Sequence, residues 1–379
     1  MTPDGLAWKF NPAMSNPPKL PSALPLRRYP VRKGERLRAW DAADELIVEE
    51  LVASTDLARK RILILNDAFG ALGTALADFA PTVYSDSYLA TQALERNSGG
   101  RVRATSRLAD LAGPYDLVLA RVPKNLSFFE DELARIGPYL APGAKLVAGV
   151  MVKHQSAGAF DLIAKYFGAT RTSLARKKAR LIFATFSRES TASPYPLAVK
   201  IEGFPLPFTN HANVFSREKL DVGTRFFLDH LPVGDFRDVL DLGCGNGLVG
   251  VAAKRKNPDA KLVFTDESRM AIESAEANFR AYYPDAPAEF HWTNAFETGA
   301  AASVDLVLCN PPFHQGTTVG DFVAREMFRD AYRVLRSGGL LRAIGNSHLG
   351  YPAVLGRLFG SSEVVAKNAK FTIVDARKR

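Results

Sequence analysis

One order of elements occurs twice along this chain, and that repetition restricts the fold more than any single motif. A strand and turn, Ile62-Leu63-Ile64-Leu65 then Asn66-Asp67-Ala68-Phe69-Gly70, recur as Val239-Leu240-Asp241-Leu242 then Gly243-Cys244-Gly245-Asn246-Gly247. Arg61–Ala71 overlays Arg237–Gly247, and Tyr84-Ser85-Asp86-Ser87 overlays the stretch ending Asp266-Glu267-Ser268. Tyr115–Lys124 overlays Val304–Phe313, Leu140–Leu146 overlays Leu335–Leu341, and the closing strand Ala179–Arg188 overlays Lys370–Arg377. Apolar runs too short for helices alternate with helical periods in both halves. Alternating β and α elements predict an α/β fold with a parallel, doubly wound sheet, and a repeat of this length predicts two tandem domains.

A chain of 379 residues has room for both. The expected division is a Pro-rich disordered leader over 1–25, with prolines at 3, 12, 17, 18, 21 and 25. A first domain over 26–190 follows, then a linker over 191–208 rich in Pro, Gly, Ser and Thr, and a second domain over 209–379. Two cysteines, Cys244 and Cys309, cannot build a disulfide framework, and no Cys/His spacing points to a metal. A reducing cytoplasm and no membrane span are expected. The formal charge of +9 favours a polyanionic partner. Arg27 to Arg38, Arg171, Arg176, Lys177, Lys178, Arg180 and the tail Arg377-Lys378-Arg379 are the candidate phosphate contacts.

The two copies diverge where chemistry would sit. Val304–Cys309 is an apolar run that two prolines terminate, because neither can donate to a sheet. Asn310 is thereby left at the carboxyl edge of the sheet, where open α/β folds hold ligands. Its side-chain oxygen and the Pro311 carbonyl can accept two hydrogen bonds from an exocyclic amine, Pro312 stops the strand, and Phe313 offers a flat ring to a base. In the first copy the same place reads Arg121-Val122-Pro123-Lys124, which would suit a polyanion. Three glycines, 243, 245 and 247, open the turn around Cys244 and Asn246 to close backbone approach by a ligand; side chains crowd the first copy's turn. Asp266, 25 residues past Asp241, ends the next strand, where a carboxylate can accept from both ribose hydroxyls; Glu267 beside it is the alternative. Asn294 follows the third strand and can meet an adenine edge or serve as a polar loop residue.

Asp241–Gly247, Asp266, Asn294 and Asn310–Phe313 resemble the motifs of class I S-adenosylmethionine-dependent methyltransferases, and N-P-P-F resembles those acting on an exocyclic amine. Asn213–Thr224 (NVFSREKLDVGT) resembles the G-V-F-S-x-x-x-L-D-x-G-[ST] segment of ribosomal RNA guanine-N2 methyltransferases of the RsmC and RlmG kind, with Asn213 in place of the usual glycine. Leu37–Glu45 and Ile64–Leu72 look like the RlmG branch, which acts on 23S rRNA. The resemblance covers nearly everything after Leu26. It implies two class I methyltransferase-like (Rossmann-like) domains, the first degenerate and the second catalytic, with S-adenosyl-L-methionine as cofactor. It places the ligand's methionine part on Asp241. It also implies an rRNA substrate, 23S before 16S, for a monomer acting on RNA or a ribosomal particle. No general base is needed, so neither His314 nor His348 is assigned one. Adenine N6 or protein glutamine methylation, a retired RNA-binding module and a nicotinamide dehydrogenase are the competing readings.

Overall fold

The structure, a computed structural model, describes residues 17–32, 34–54, 57–312 and 318–379. It divides into two compact units, Met1–Pro194 and Tyr195–Arg379.

In the first unit seven strands are β1 (Ile62–Leu65), β2 (Thr82–Tyr84), β3 (Ala104–Thr105), β4 (Tyr115–Arg121), β5 (Leu140–Met151), β6 (Thr170–Thr172) and β7 (Ala179–Thr185). The second unit opens with a ribbon, β8 (Leu197–Val199) and β9 (Phe208–Asn210). Its sheet comprises β10 (Asp238–Leu242), β11 (Lys261–Asp266), β12 (Ala288–Trp292), β13 (Val304–Cys309), β14 (Leu335–Asn346), β15 (Glu363–Lys367) and β16 (Phe371–Arg377). The sheet orders are β3-β2-β1-β4-β5-β7-β6 and β12-β11-β10-β13-β14-β16-β15, the same plan twice.

The expected α/β class and duplication stand, with three differences. The sheets are mixed rather than wholly parallel, since β7 and β16 run antiparallel to both neighbours. β6 and β15, which the sequence hides, are edge strands exposed along most of their length, so they carry no apolar signal. The expected linker, 191–208, holds β8 and reaches the first residue of β9, and Ile201 and fully buried Phe208 join the core of the second unit. Pro and Gly content disguised a short ribbon as a connector. Of the Pro-rich leader, residues 1–16 lie outside the described residues. Residues 17–25 pack instead of trailing: Pro18 and Pro21 are buried, and Leu20 and Leu24 sit against the first unit's core. Proline lacks an N–H but buries its ring readily.

Register places the second unit's site. β10 is central and fully buried past its first residue; Leu242 lies opposite Thr265 of β11 on one side and Cys309 of β13 on the other. Strand order reverses direction between those neighbours, so the loops after β10, β11 and β13 leave one edge around a crevice. The first unit repeats this, with Leu65 opposite Tyr84 and Ala120. Its helix-opening glycine is Gly70, the counterpart of Gly247. The overlay of Ala71 on Gly247 is therefore one residue out. Gly70 and Gly247 both have positive φ (+72° and +78°) and both precede a helix.

Candidate active site

The glycine turn is shaped by what its Cβ atoms would meet. At Gly247 a Cβ would lie 2.9 Å from Ala275 Cα of the helix Arg269–Tyr282, so this glycine serves close helix packing. At Gly245, φ +55°, a Cβ would meet nothing within 4 Å among the described residues. That open space over bare backbone is the cradle a ligand would fill. The turn is bracketed from below: Gly243 and Cys244 N–H each donate 2.9 Å to Thr265 O. Cys244 is buried, and its thiol is pushed well up by burial, so it packs rather than reacts. Asn246 holds the loop: its Nδ2 donates to Asn210 Oδ1 (2.9 Å) and its Oδ1 accepts from Leu248 N–H (3.2 Å). In this turn the surface offered to a ligand is therefore main chain.

Two carboxylates are wired into the turn. Asp241, 3% exposed, accepts from Gly250 N–H (2.8 Å), tying β10 to the helix Leu248–Lys256. Burial, with Asp266 nearby, pushes its pKa up to about 8. Asp266 accepts from Gly245 N–H through Oδ2 and from Ser268 N–H through Oδ1, both at 2.9 Å, and burial raises it as well. Glu267 is exposed, and its carbonyl accepts from Trp292 Nε1 at 2.8 Å. The geometry separates the two acids that spacing left open: Asp266 is the one joined to the glycine turn. Asn294 lies in a turn beyond β12, where its Nδ2 donates to Glu297 Oε2 (3.3 Å). That arrangement fits a turn residue.

Asn310 follows β13 at the crevice. Its Nδ2 donates to Thr224 Oγ1 (3.0 Å), while its Oδ1 is buried without a partner among the described residues. Leaving such an acceptor unpaired costs about 1–3 kcal/mol. Pro311 is buried beside it and Pro312 exposed; Phe313 and His314 lie outside the described residues. Thr224 belongs to the helix Val222–Asp229, which Asp221 caps by accepting from Thr224 N–H (2.9 Å). Asn213–Thr224 is a pattern in the sequence in which spacing gives no member a role. The supporting residues Asn210, Ser274 and Asn278 belong to no motif in the sequence. Asn278 accepts from Thr209 N–H (2.6 Å) and donates to Asn246 O (2.9 Å), and Ser274 Oγ meets His211 N–H at 3.1 Å. Asn210, Asn246 and Asn278 come from a strand, a turn and a helix far apart in the chain, so no local pattern signals that they meet.

The first unit's equivalent place is closed. Arg121 was expected to face a polyanion; instead it pairs with Asp41 (2.8 Å) and Asp44 (2.5 Å), which neutralise it internally. Several other basic candidates are also engaged. Arg176 pairs with Glu49 (3.0 Å), Lys177 with Glu45 (2.9 Å), and Lys378 Nζ donates to Leu335 O (2.7 Å). Arg171 lies 3.9 Å over the Phe183 ring.

Two family models match the chain. Residues 205–375 match the methyltransferase small domain, and residues 16–188 match the RLMG N-terminal domain. Over 365 residues the chain is 48% identical to the ribosomal RNA large subunit methyltransferase G of Pseudomonas paraeruginosa, covering 94% of this chain and 97% of that one. The protein of the same name from Pseudomonas entomophila is 44% identical over the same shares. The chain belongs to the ribosomal RNA large subunit methyltransferase G family. The RLMG N-terminal domain match falls within the first unit and the methyltransferase small domain match within the second. A solved structure, the T. thermophilus 16S rRNA N2 methyltransferase RsmC in complex with AdoMet and guanosine, shares the fold. Its TM-score is 0.73 at 23% identity, covering 84% of this chain and 88% of that one.

Proposed function

We propose that this family member methylates N2 of a guanine in large-subunit (23S) rRNA, using S-adenosylmethionine at the crevice around Asn310. The observation that carries the reading is the Asn310 Oδ1: a buried acceptor with no partner among the described residues, at the strand-order reversal, beside the open space at Gly245. Large-subunit RNA is preferred to small-subunit RNA because the relatives at 44–48% identity bear the large-subunit name.

The residues present fit the cofactor. Backbone at Gly245 lies under open space among the described residues, Asp266 would take the ribose hydroxyls, and Asp241 would face the methionine part. S-adenosylmethionine, when bound, supplies an electrophilic sulfonium methyl. The rest of the chemistry is positional. Guanine N2 is a weak nucleophile because its lone pair is delocalised into the ring. Asn310 Oδ1 and the Pro311 carbonyl each accept one N2–H, which favours a tetrahedral nitrogen with its lone pair directed out of the ring plane. Such alignment lowers the barrier without a strong base. The base must be unpaired or rotated out to reach this edge, and Phe313 would stack on it. The chain would act in the cytoplasm as a monomer, on rRNA or an assembling particle.

Asn310→Ala is the test. Turnover should fall by at least about 10³-fold, while calorimetric affinity for S-adenosylmethionine stays the same. A near-wild-type rate would remove the assignment. Reverse-transcription mapping of N2-methylguanine in 23S and 16S rRNA, with and without the protein, decides between the two substrates.

A further inference from the structure

The segment Asp221–Thr224 is a recognisable pattern to which the reaction above gives no part. Each of three positions nevertheless has a distinct contact. Asp221 Oδ2 accepts from Thr224 N–H at 2.9 Å and lies 3.4 Å from Thr224 Oγ1. Gly223 sits where a Cβ would come 2.9 Å from the Phe371 ring at the start of β16, so only glycine lets the helix begin this close to the sheet. Thr224 Oγ1 accepts from Asn310 Nδ2 at 3.0 Å.

We infer that Thr224 is a positioning residue that fixes which way the Asn310 amide faces, with Asp221 fixing Thr224 in turn. This rests on the proposed role of Asn310. A primary amide can be turned about its last bond to exchange oxygen and nitrogen, at little steric cost. With Oδ1 toward the crevice Asn310 accepts from an amine; turned over, it presents an NH2 group to an NH2 group and opposes binding. The threonine hydroxyl has one proton. Asp221 accepts only, so that proton is directed to the carboxylate, and Oγ1 is left to the amide as an acceptor. Only the Nδ2 side of Asn310 can satisfy it. The polarity is thus set in order: carboxylate, hydroxyl, amide nitrogen, leaving the oxygen outward. The cap adds rigidity, because the same Asp221 oxygen holds the Thr224 backbone.

The test uses the full chain, S-adenosylmethionine and 23S rRNA under single-turnover conditions, with melting temperature and calorimetric cofactor affinity measured alongside. Thr224→Val keeps the shape and deletes the hydroxyl. The methyl-transfer rate should fall by about 100-fold, with cofactor affinity and melting temperature close to wild type. Thr224→Ser should recover most of the rate. If the valine variant does not fold, Thr224→Ala makes the same deletion. Since Thr224 acts through Asn310, the double variant Thr224→Val/Asn310→Ala should be no slower than Asn310→Ala alone. A wild-type rate for Thr224→Val, a serine variant as slow as valine, or multiplying losses in the double variant overturns the inference. An active Asn310→Ala would instead overturn the proposed site, whatever Thr224 does.

Discussion

The two units are built on one backbone plan and differ almost wholly where a ligand would touch. Gly70 and Gly247 open their helices alike, and at Gly70 an added Cβ would overlap Leu94 much as one at Gly247 would crowd Ala275. Ser87 and Ser268 cap the next helix in the same way, accepting from Ala90 and Ala271 N–H. Each unit keeps a buried aspartate tied to the helix start: Asp67 accepts from Ala71 and Gly73 N–H (2.8 and 2.7 Å), Asp241 from Gly250. Against that shared frame, the open space at Gly245 is replaced by a loop carrying Phe69. Arg28 lies 4.8 Å over its ring, and Asn97 Nδ2 holds both Phe69 O and Arg27 O. Asn310, whose Oδ1 has no partner among the described residues, is replaced by Arg121 with two carboxylates. The lesson is that packing preserved the fold, while the ligand surface was closed by side chains that satisfy one another.

Removing the guanidinium gives the largest effect expected in the retired unit. Arg121→Ala leaves Asp44, 5% exposed, without its cation and should cost about 3–5 kcal/mol in urea unfolding. Methyl transfer per folded molecule should not change. Lost activity with no lost stability would mean that Arg121 serves RNA and that the comparison is drawn wrongly. Next in size are the paired glycines. Gly70→Ala and Gly247→Ala combine left-handed strain with overpacking and should each lose about 2–4 kcal/mol. Gly245→Ala has the strain without the clash, so it should lose only about 1–2 kcal/mol yet bind S-adenosylmethionine at least about tenfold more weakly. Unchanged affinity at Gly245→Ala would mean that the open space is not the ligand's.

A pH slope is common to both units. Burial pushes Asp67 from 3.8 up to about 7, with Asp44 adding to it, and Asp241 from 3.8 to about 8. Between those limits the folded chain binds more protons than the unfolded one. The stability these groups allow is present below pH 3.8 and is lost as pH rises, through about 7 for Asp67 and about 8 for Asp241. Asp67→Asn should flatten the lower part of the urea-stability profile, and Asp241→Asn should extend the flattening about one unit higher. Identical profiles in both variants and wild type would contradict the shared burial.

Legibility in the sequence followed distance along the chain. The strands, the duplication, the glycine turn and Asn310 were readable because each is a local pattern of burial or turn chemistry. Asp266 was readable as the next strand's end, though not its choice over Glu267, which depends on a bond to Gly245. The partners of Arg121 lie 77 and 80 residues away, and Thr224 lies 86 residues from Asn310, so no spacing rule reveals them. The β8–β9 ribbon was hidden by composition, and β6 and β15 by their exposure.

A crystal structure of the full chain with S-adenosylmethionine shows most directly which unit presents an acceptor to the methyl donor. Density should lie over Gly243–Gly247, with the sulfonium methyl directed toward Asn310 Oδ1. Density beside Phe69 and Arg121, or a methyl turned away from Asn310, would overturn the proposed site.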